Sequence, residues 1–346
     1  CVTRCSDRQG RALTEDAHRK SERLSIRGGF RRVFPSEIGD IDYPPRAMEQ
    51  YTAALEATVD VSLIQDAKFK LVVDYAYGSS AFSMPNVLAK LGADVLGVNP
   101  YTATLGALNY DPERHAQEVA ALVKASGAHV GAVLDPDAEH LTLIDDSGHI
   151  LTNEEALLSL LAMVSGHLLG DTVAVPVTVT QHAESIAREH GVQVRRTKLS
   201  ASALMDAASE PGVGFSGGVD GGFILPGFLH AFDAAANLVK VLELLARSGE
   251  RLSTIVSRLP RTHIVHEAVV TPWEQKGMVM RSLVEMSKDR EVQLIDGVKV
   301  KHEGGWALAV PDPEEPVTHV WAESGSDADA KTLAKEYARR IRQLLR

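Results

Sequence analysis

From Lys68 onward the chain alternates short apolar runs with amphipathic segments, and the alternation starts afresh after Gly170. In the first round Lys70–Tyr75, Asp94–Val98 and His129–Leu134 read as strands, with Ser83–Leu91, Glu113–Ser126 and Glu154–Val164 as helices. In the second, Thr172–Thr180, Val192–Thr197 and Gly222–Leu225 read as strands. Ala183–Glu189, Ala201–Ala208 and a long segment near Ala231–Ser248 read as helices, with a glycine-rich stretch at 212–222. Parallel strands need long crossovers, usually helical, so this rhythm predicts mainly parallel, doubly wound α/β units in tandem. The boundary between them is expected near 165–171.

After Pro260 the rhythm changes. His263–Thr271, Val292–Val300, Trp306–Val310 and Val317–Glu323 read as strands, and Met278–Ser287 and Asp327–Leu345 as helices, which makes a small α+β unit. The basic end of the last helix, Arg339-Arg340-Ile341-Arg342, suits the helix dipole. Before residue 60 the pattern gives a strand at Cys1–Cys5, a turn at Asp7-Arg8-Gln9-Gly10 and a charged helix from an N-cap at Thr14 to about Ile26. A further helix is expected after Tyr43-Pro44-Pro45. With 346 residues the chain exceeds one ordinary core. A net charge of −10 and a pI near 5.7 disfavour nucleic acid and anionic membranes as partners. Two cysteines at i, i+4, Cys1 and Cys5, match no zinc or redox spacing and suit a reducing cytoplasm. No apolar run reaches membrane-spanning length. A start at Cys1, already in a strand-like segment, suggests a fragment of a longer protein.

The chemistry concentrates at Asp135-Pro136-Asp137-Ala138-Glu139-His140, between the apolar runs 129–134 and 141–144. Carboxylates at alternate positions of a tight loop, Asp135, Asp137 and Glu139, can converge on a hard cation such as Mg²⁺; the plain alternative is a solvated acidic turn. The loop resembles the Asp-Gly-Asp-Gly-Asp-Arg metal loop of the α-D-phosphohexomutases, the superfamily of phosphoglucomutase and phosphomannomutase. Pro136 and Ala138 stand where that loop has glycines, Glu139 replaces its third Asp and His140 its Arg. The resemblance implies tandem phosphohexomutase-type α/β/α domains followed by a small α+β C-terminal domain. Residues 1–59 would be the remnant of the first mutase domain, 60–164 the second, 165–262 the third and 263–346 the fourth. It also implies weak Mg²⁺ binding, millimolar at best.

Two further loops carry the resemblance. The superfamily's sugar loop, Gly-Gly-Glu-x-Ser-Gly-His, is matched by Gly217-Gly218-Val219-Asp220-Gly221-Gly222-Phe223. Its positions Gly218, Val219, Asp220 and Gly221 keep the glycine turn but lose the hydroxyl-reading Glu to Val219; Asp220 is a substitute acceptor. The phosphate-gripping Arg-Pro-Ser-Gly-Thr-Glu-Pro is matched by Val310-Pro311-Asp312-Pro313-Glu314-Glu315-Pro316, with Asp312, Glu314 and Glu315 in the loop. A carboxylate about 4 Å from a phosphate charge costs on the order of 4 kcal/mol at an effective dielectric near 20, so this loop is expected to repel phosphate. The serine that active mutases phosphorylate lies on their first domain, before the point where this chain begins. Ser79 and Ser80 read as a helix-entry turn rather than its substitute.

More narrowly, Phe30-Arg31-Arg32, Glu37-Ile38-Gly39, Lys276-Gly277-Met278-Val279-Met280-Arg281 and Asp296-Gly297-Val298-Lys299 resemble the mutase-like half of bacterial mannose-1-phosphate guanylyltransferase fusions. This implies a degenerate mutase module that scaffolds or regulates an attached nucleotidyltransferase in nucleotide-sugar biosynthesis, with no catalytic residue of its own. The alternatives are an active, Mg-dependent phosphohexomutase, or a sensor of a hexose phosphate, sugar nucleotide or cation. Self-association is left open. His263 and His266, i, i+3 on a strand, do not share a face, and Trp273, Trp306 and Trp321 read as core or hinge packing.

Overall fold

A computed structural model describes residues 13, 15–29, 32–41, 45–167 and 170–346. The expected strand at Cys1–Cys5, the turn at Asp7–Gly10, the cap at Thr14 and the residues Phe30, Arg31, Tyr43 and Pro44 lie outside them. A helix at Glu15–Ile26 and another at Ala47–Glu56 precede the first sheet.

That sheet joins β1 (Lys70–Asp74), β2 (Asp94–Val98), β3 (Val130–Leu134) and β4 (Leu141–Ile144) in the order β2-β1-β3-β4. The first three strands are parallel and β4 is an antiparallel edge. The second sheet repeats the plan with β5 (Thr172–Pro176), β6 (Gln193–Thr197), β7 (Val213–Gly217) and β8 (Phe223–Ile224) in the order β6-β5-β7-β8. Again three strands are parallel and the fourth is antiparallel. The third sheet is antiparallel: β9 (Ile264–Val270), β10 (Val292–Gln293), β11 (Val298–His302), β12 (Gly305–Pro311) and β13 (Val317–Glu323), ordered β10-β11-β12-β13-β9.

The two α/β units share one core. Leu71 and Val73 of β1, Leu157 and Leu160 of the helix Asn153–Ser165, Val173 of β5 and Leu238 and Leu242 of the helix Ala234–Ser248 form a single buried cluster. The helix Ala234–Ser248 returns to the first unit, where Ala234 N–H donates to Ala138 O at 2.9 Å. Burial of such continuous apolar runs stabilises at roughly 25 cal/mol per Å² and welds the two sheets into one body. The last sheet has its own core around Val279, Val300, Ala322 and Tyr337. A smaller cluster of Val177, Leu199, Trp306, Leu308 and Val310 joins it to the second.

Three strands differ from the sequence reading. The glycine-rich stretch at 212–222 opens with the strand Val213–Gly217, which its glycines hide. The run Thr172–Thr180 leaves the sheet after Pro176, which has no N–H for the ladder, and Arg196 draws the carbonyls of Pro176, Val179 and Thr180 around its guanidinium. Val292–Val300 is two strands, since Asp296 takes a left-handed φ of 60° and turns the chain. Among the described residues no helix is long and apolar enough to cross a membrane.

Candidate functional site

The acidic loop follows β3, at the carboxyl edge of the first sheet where open α/β folds bind their ligands. Asp135 does not project as an open ligand. Its Oδ1 accepts the N–H of Glu139 at 2.7 Å and of His140 at 3.0 Å, and its Oδ2 lies 2.9 Å from His140 Nδ1. Ala138 sits at φ 59°, a left-handed position that glycine takes without strain. Asp137 is exposed and Glu139 half-buried, and both are engaged by neighbours.

The glycine-rich loop abuts this one. Leu141 N–H donates to Gly221 O at 3.0 Å, and His140 bridges Gly222. Gly221 has φ 86°, and a Cβ there would lie 3.1 Å from Leu141 O, so glycine is required for the approach. Asp220 Oδ1 accepts Gly222 N–H at 2.9 Å, while its Oδ2 stands 3.9 Å from His140 Nε2. A Cβ on Gly218 would lie 2.8 Å from Asp220 Oδ1. Val219 turns into the core, and its carbonyl accepts from Asn153 at 3.1 Å. The structure thus brings the 135–140 and 218–222 loops to one place, with His140 between Asp135 and Asp220.

The acidic loop also rests on the turn after β1. Ser79 N–H donates to Pro136 O at 3.2 Å, and a Cβ on Gly78 would sit 2.4 Å from that same oxygen. Below lies a buried pair that sequence spacing does not reveal: His115 Nδ1 is 2.8 Å from Asp74 Oδ2, with side chains 1% and 0% exposed. Asp74 also accepts Ala76 N–H at 2.8 Å and Asn99 Nδ2 at 3.0 Å. It thereby holds two non-glycine residues at positive φ, Ala76 and Asn99; Tyr77, next to Ala76, is left-handed as well. Ser79 and Ser80 fall in the short 3-10 turn that follows, as expected.

At the third loop, Asp312 folds back on its own backbone. Oδ1 accepts Glu314 N–H at 2.7 Å and Glu315 N–H at 2.8 Å, and Oδ2 meets His319 Nε2 at 2.9 Å. The Glu314 N–H first, then His319 and the Glu315 N–H, hold its carboxyl at about 2. Lys276 Nζ closes the loop from behind through Asp312 O at 2.6 Å and Glu315 O. Glu314 and Glu315 themselves are exposed. His319 continues to His266 at 3.0 Å, and the His266 ring stacks on Trp321. Burial, and then His319, push the His266 imidazole below its ordinary value. His266 therefore pairs across the sheet with His319 rather than with His263, which only the strand register could disclose.

Comparison with known proteins follows this architecture. Residues 49–148 match phosphoglucomutase/phosphomannomutase alpha/beta/alpha domain II, and residues 153–263 match alpha/beta/alpha domain III. The "Phosphoglucomutase/phosphomannomutase" of Thermococcus kodakarensis is 26% identical over 326 residues, covering 93% of this chain and 71% of that protein. The fold is shared with a phosphoglucomutase/phosphomannomutase family protein of Burkholderia thailandensis: TM-score 0.81, 21% identity, 97% of this chain and 71% of that one. It is also shared with Aspergillus fumigatus N-acetylphosphoglucosamine mutase in complex with GlcNAc-6P and magnesium: TM-score 0.60, 16% identity, 88% and 67% coverage. Tandem α/β units with a C-terminal sheet domain define a sugar-phosphate mutase architecture. The chain belongs to the phosphohexomutase superfamily, in the phosphoglucomutase/phosphomannomutase family.

A resident Mg²⁺ does not fit the acidic loop in this arrangement. Among the described residues no group of three or more His, Cys, Asp or Glu side chains is placed to hold a metal, and Asp135 is committed to two amides and an imidazole. Isothermal titration with Mg²⁺ is expected to show millimolar affinity at best. A micromolar site abolished by Asp137→Ala would contradict this.

Proposed function

We propose that the chain acts on hexose phosphates, as an intramolecular phosphotransferase of the phosphohexomutase class. The observation that carries the reading is the edge-to-edge seating of the 135–140 and 218–222 loops through Leu141–Gly221 and His140–Gly222. The relatives bearing mutase names favour turnover over the scaffold role that the edited loops alone suggest. Here the loop amides and Asp220 would orient the sugar.

A coupled assay on the full-length protein tests this, with glucose, mannose and glucosamine 1-phosphates, Mg²⁺ and a sugar 1,6-bisphosphate activator. The expected result is turnover above about 1 s⁻¹, the low end of ordinary enzymes, lost in Asp220→Ala.

The engagement of Asp135 with its own loop favours a second reading, a module that binds a hexose phosphate or sugar nucleotide without turnover and regulates an attached nucleotidyltransferase. Absence of turnover with sugar-phosphate binding intact would select it.

A further inference from the structure

The segment Asp296-Gly297-Val298-Lys299 has no part in the cleft, yet its geometry is demanding. Asp296 is left-handed, and a Cβ on Gly297 would lie 2.1 Å from Ala309 O, so only an Asp-Gly-like pair makes this turn. The turn sends two side chains across the seam to the second α/β unit. Asp296 Oδ2 accepts Leu199 N–H at 3.0 Å, just after β6. Lys299 Nζ donates to Val177 O at 2.7 Å, just after β5, and lies 3.8 Å from the centre of the Trp306 ring.

Around Lys299 the seam is charged and buried. Trp306 Nε1–H donates to Glu323, which also accepts from Thr180 Oγ1 and, at 3.0 Å, from Gln181 N–H. Glu154 accepts Thr180 N–H at 3.0 Å, and Arg196 pairs with Glu184 while gathering the same loop's carbonyls. Burial, then the neighbouring Arg196, pull the Lys299 amine down to about 7. Burial likewise raises Glu154. Buried ions add little stability when fully paired, but they reject arrangements that leave one unpaired. The apolar part of the seam, chiefly Val177 and Leu199 against Trp306, Leu308 and Val310, is small. The polar groups therefore select the docking geometry.

We infer that Asp296–Lys299 is a latch, with Lys299 a positioning residue that fixes the C-terminal unit on the carboxyl ends of β5 and β6. Those ends share an edge with the 218–222 loop, because β5, β6 and β7 are parallel. On the other side of the seam β11 pairs with β12, which runs directly into Asp312. The latch thereby sets where the 310–316 loop hangs relative to the sugar-loop position. Its link to function rests on the reading above, but the latch itself is tested without activity.

Two amides report it. Leu199 N–H and Gln181 N–H are bonded to carboxylates of the C-terminal unit. Hydrogen exchange on the full chain should show both exchanging at least about tenfold faster in Lys299→Met, with core amides of β1, β5 and β12 unchanged. Lys299→Arg should restore most of the protection. Should Lys299→Met fail to fold, Asp296→Gly, which keeps the turn and removes the acceptor, should still speed Leu199 selectively. Unchanged exchange at Leu199 and Gln181, or acceleration spread evenly over the core amides, would overturn the latch. Neither outcome depends on whether the protein turns over hexose phosphates.

Discussion

Replacing His115 by alanine will destabilise the first α/β unit by about 3–5 kcal/mol, the usual cost of stripping the partner from a buried charge. The imidazole and the Asp74 carboxylate are both excluded from water and 2.8 Å apart. Once His115 is gone, Asp74 keeps Ala76 N–H and Asn99 Nδ2 but loses its imidazole partner, in a site that water does not reach. Two left-handed residues, Ala76 and Asn99, lean on that carboxylate, so the turn beneath the acidic loop should loosen as well. The double change Asp74→Asn with His115→Gln, which removes the charge and retains hydrogen bonding, should recover much of the loss. Urea unfolding of the single and double variants checks this. A loss in His115→Ala below about 1 kcal/mol, the usual worth of an ordinary hydrogen bond, would mean the pair is not sealed from water.

Gly78→Ala is expected to have the next largest effect, and to deliver it to the candidate site. The glycine has extended backbone that any residue could adopt, so conformational freedom is not the reason for it. Space is: a methyl there would lie 2.4 Å from Pro136 O and 2.6 Å from Pro136 Cα, both backbone atoms with no rotamer to yield. Relief requires the 135–140 loop to move away and give up the bond from Ser79 N–H. Overpacking of this kind costs about 1–3 kcal/mol. The amide resonances of Ser79, Glu139 and His140 should shift together, whereas a substitution at Gly325, where a Cβ meets nothing within 4 Å and φ is not left-handed, should leave them in place.

The strand β7, with Gly214 and Gly217, went unread, whereas β1 and β3 were legible because central parallel strands, covered on both faces, are written as unbroken apolar runs such as Leu71-Val72-Val73. Strand ends were less so. Thr172–Thr180 stops at Pro176, which has no N–H for the ladder, and Arg196, about twenty residues away, gathers the carbonyls beyond it. The short helices Val61–Ala67, Thr104–Leu108 and Leu252–Ser257 are too brief to show a period and went unread. The sequence likewise located the acidic, glycine-rich and 310–316 loops but could not say how their carboxylates are used. Asp135 and Asp312 each turn back on amides of their own loop, a choice set by backbone geometry. The pairs Asp74–His115 and His266–His319 join residues 41 and 53 positions apart, and no spacing rule anticipates them.

The proposed function requires hexose phosphates to enter between the 135–140 and 218–222 loops. The most direct measurement is an amide chemical-shift titration of the protein with glucose, mannose and glucosamine phosphates, with inorganic phosphate as control. Saturable shifts are expected at Glu139, His140, Asp220 and Gly222 with the sugar phosphates, weakened in Asp220→Ala. No shift in either loop at about 10 mM ligand, above the usual range of KM values, would contradict it.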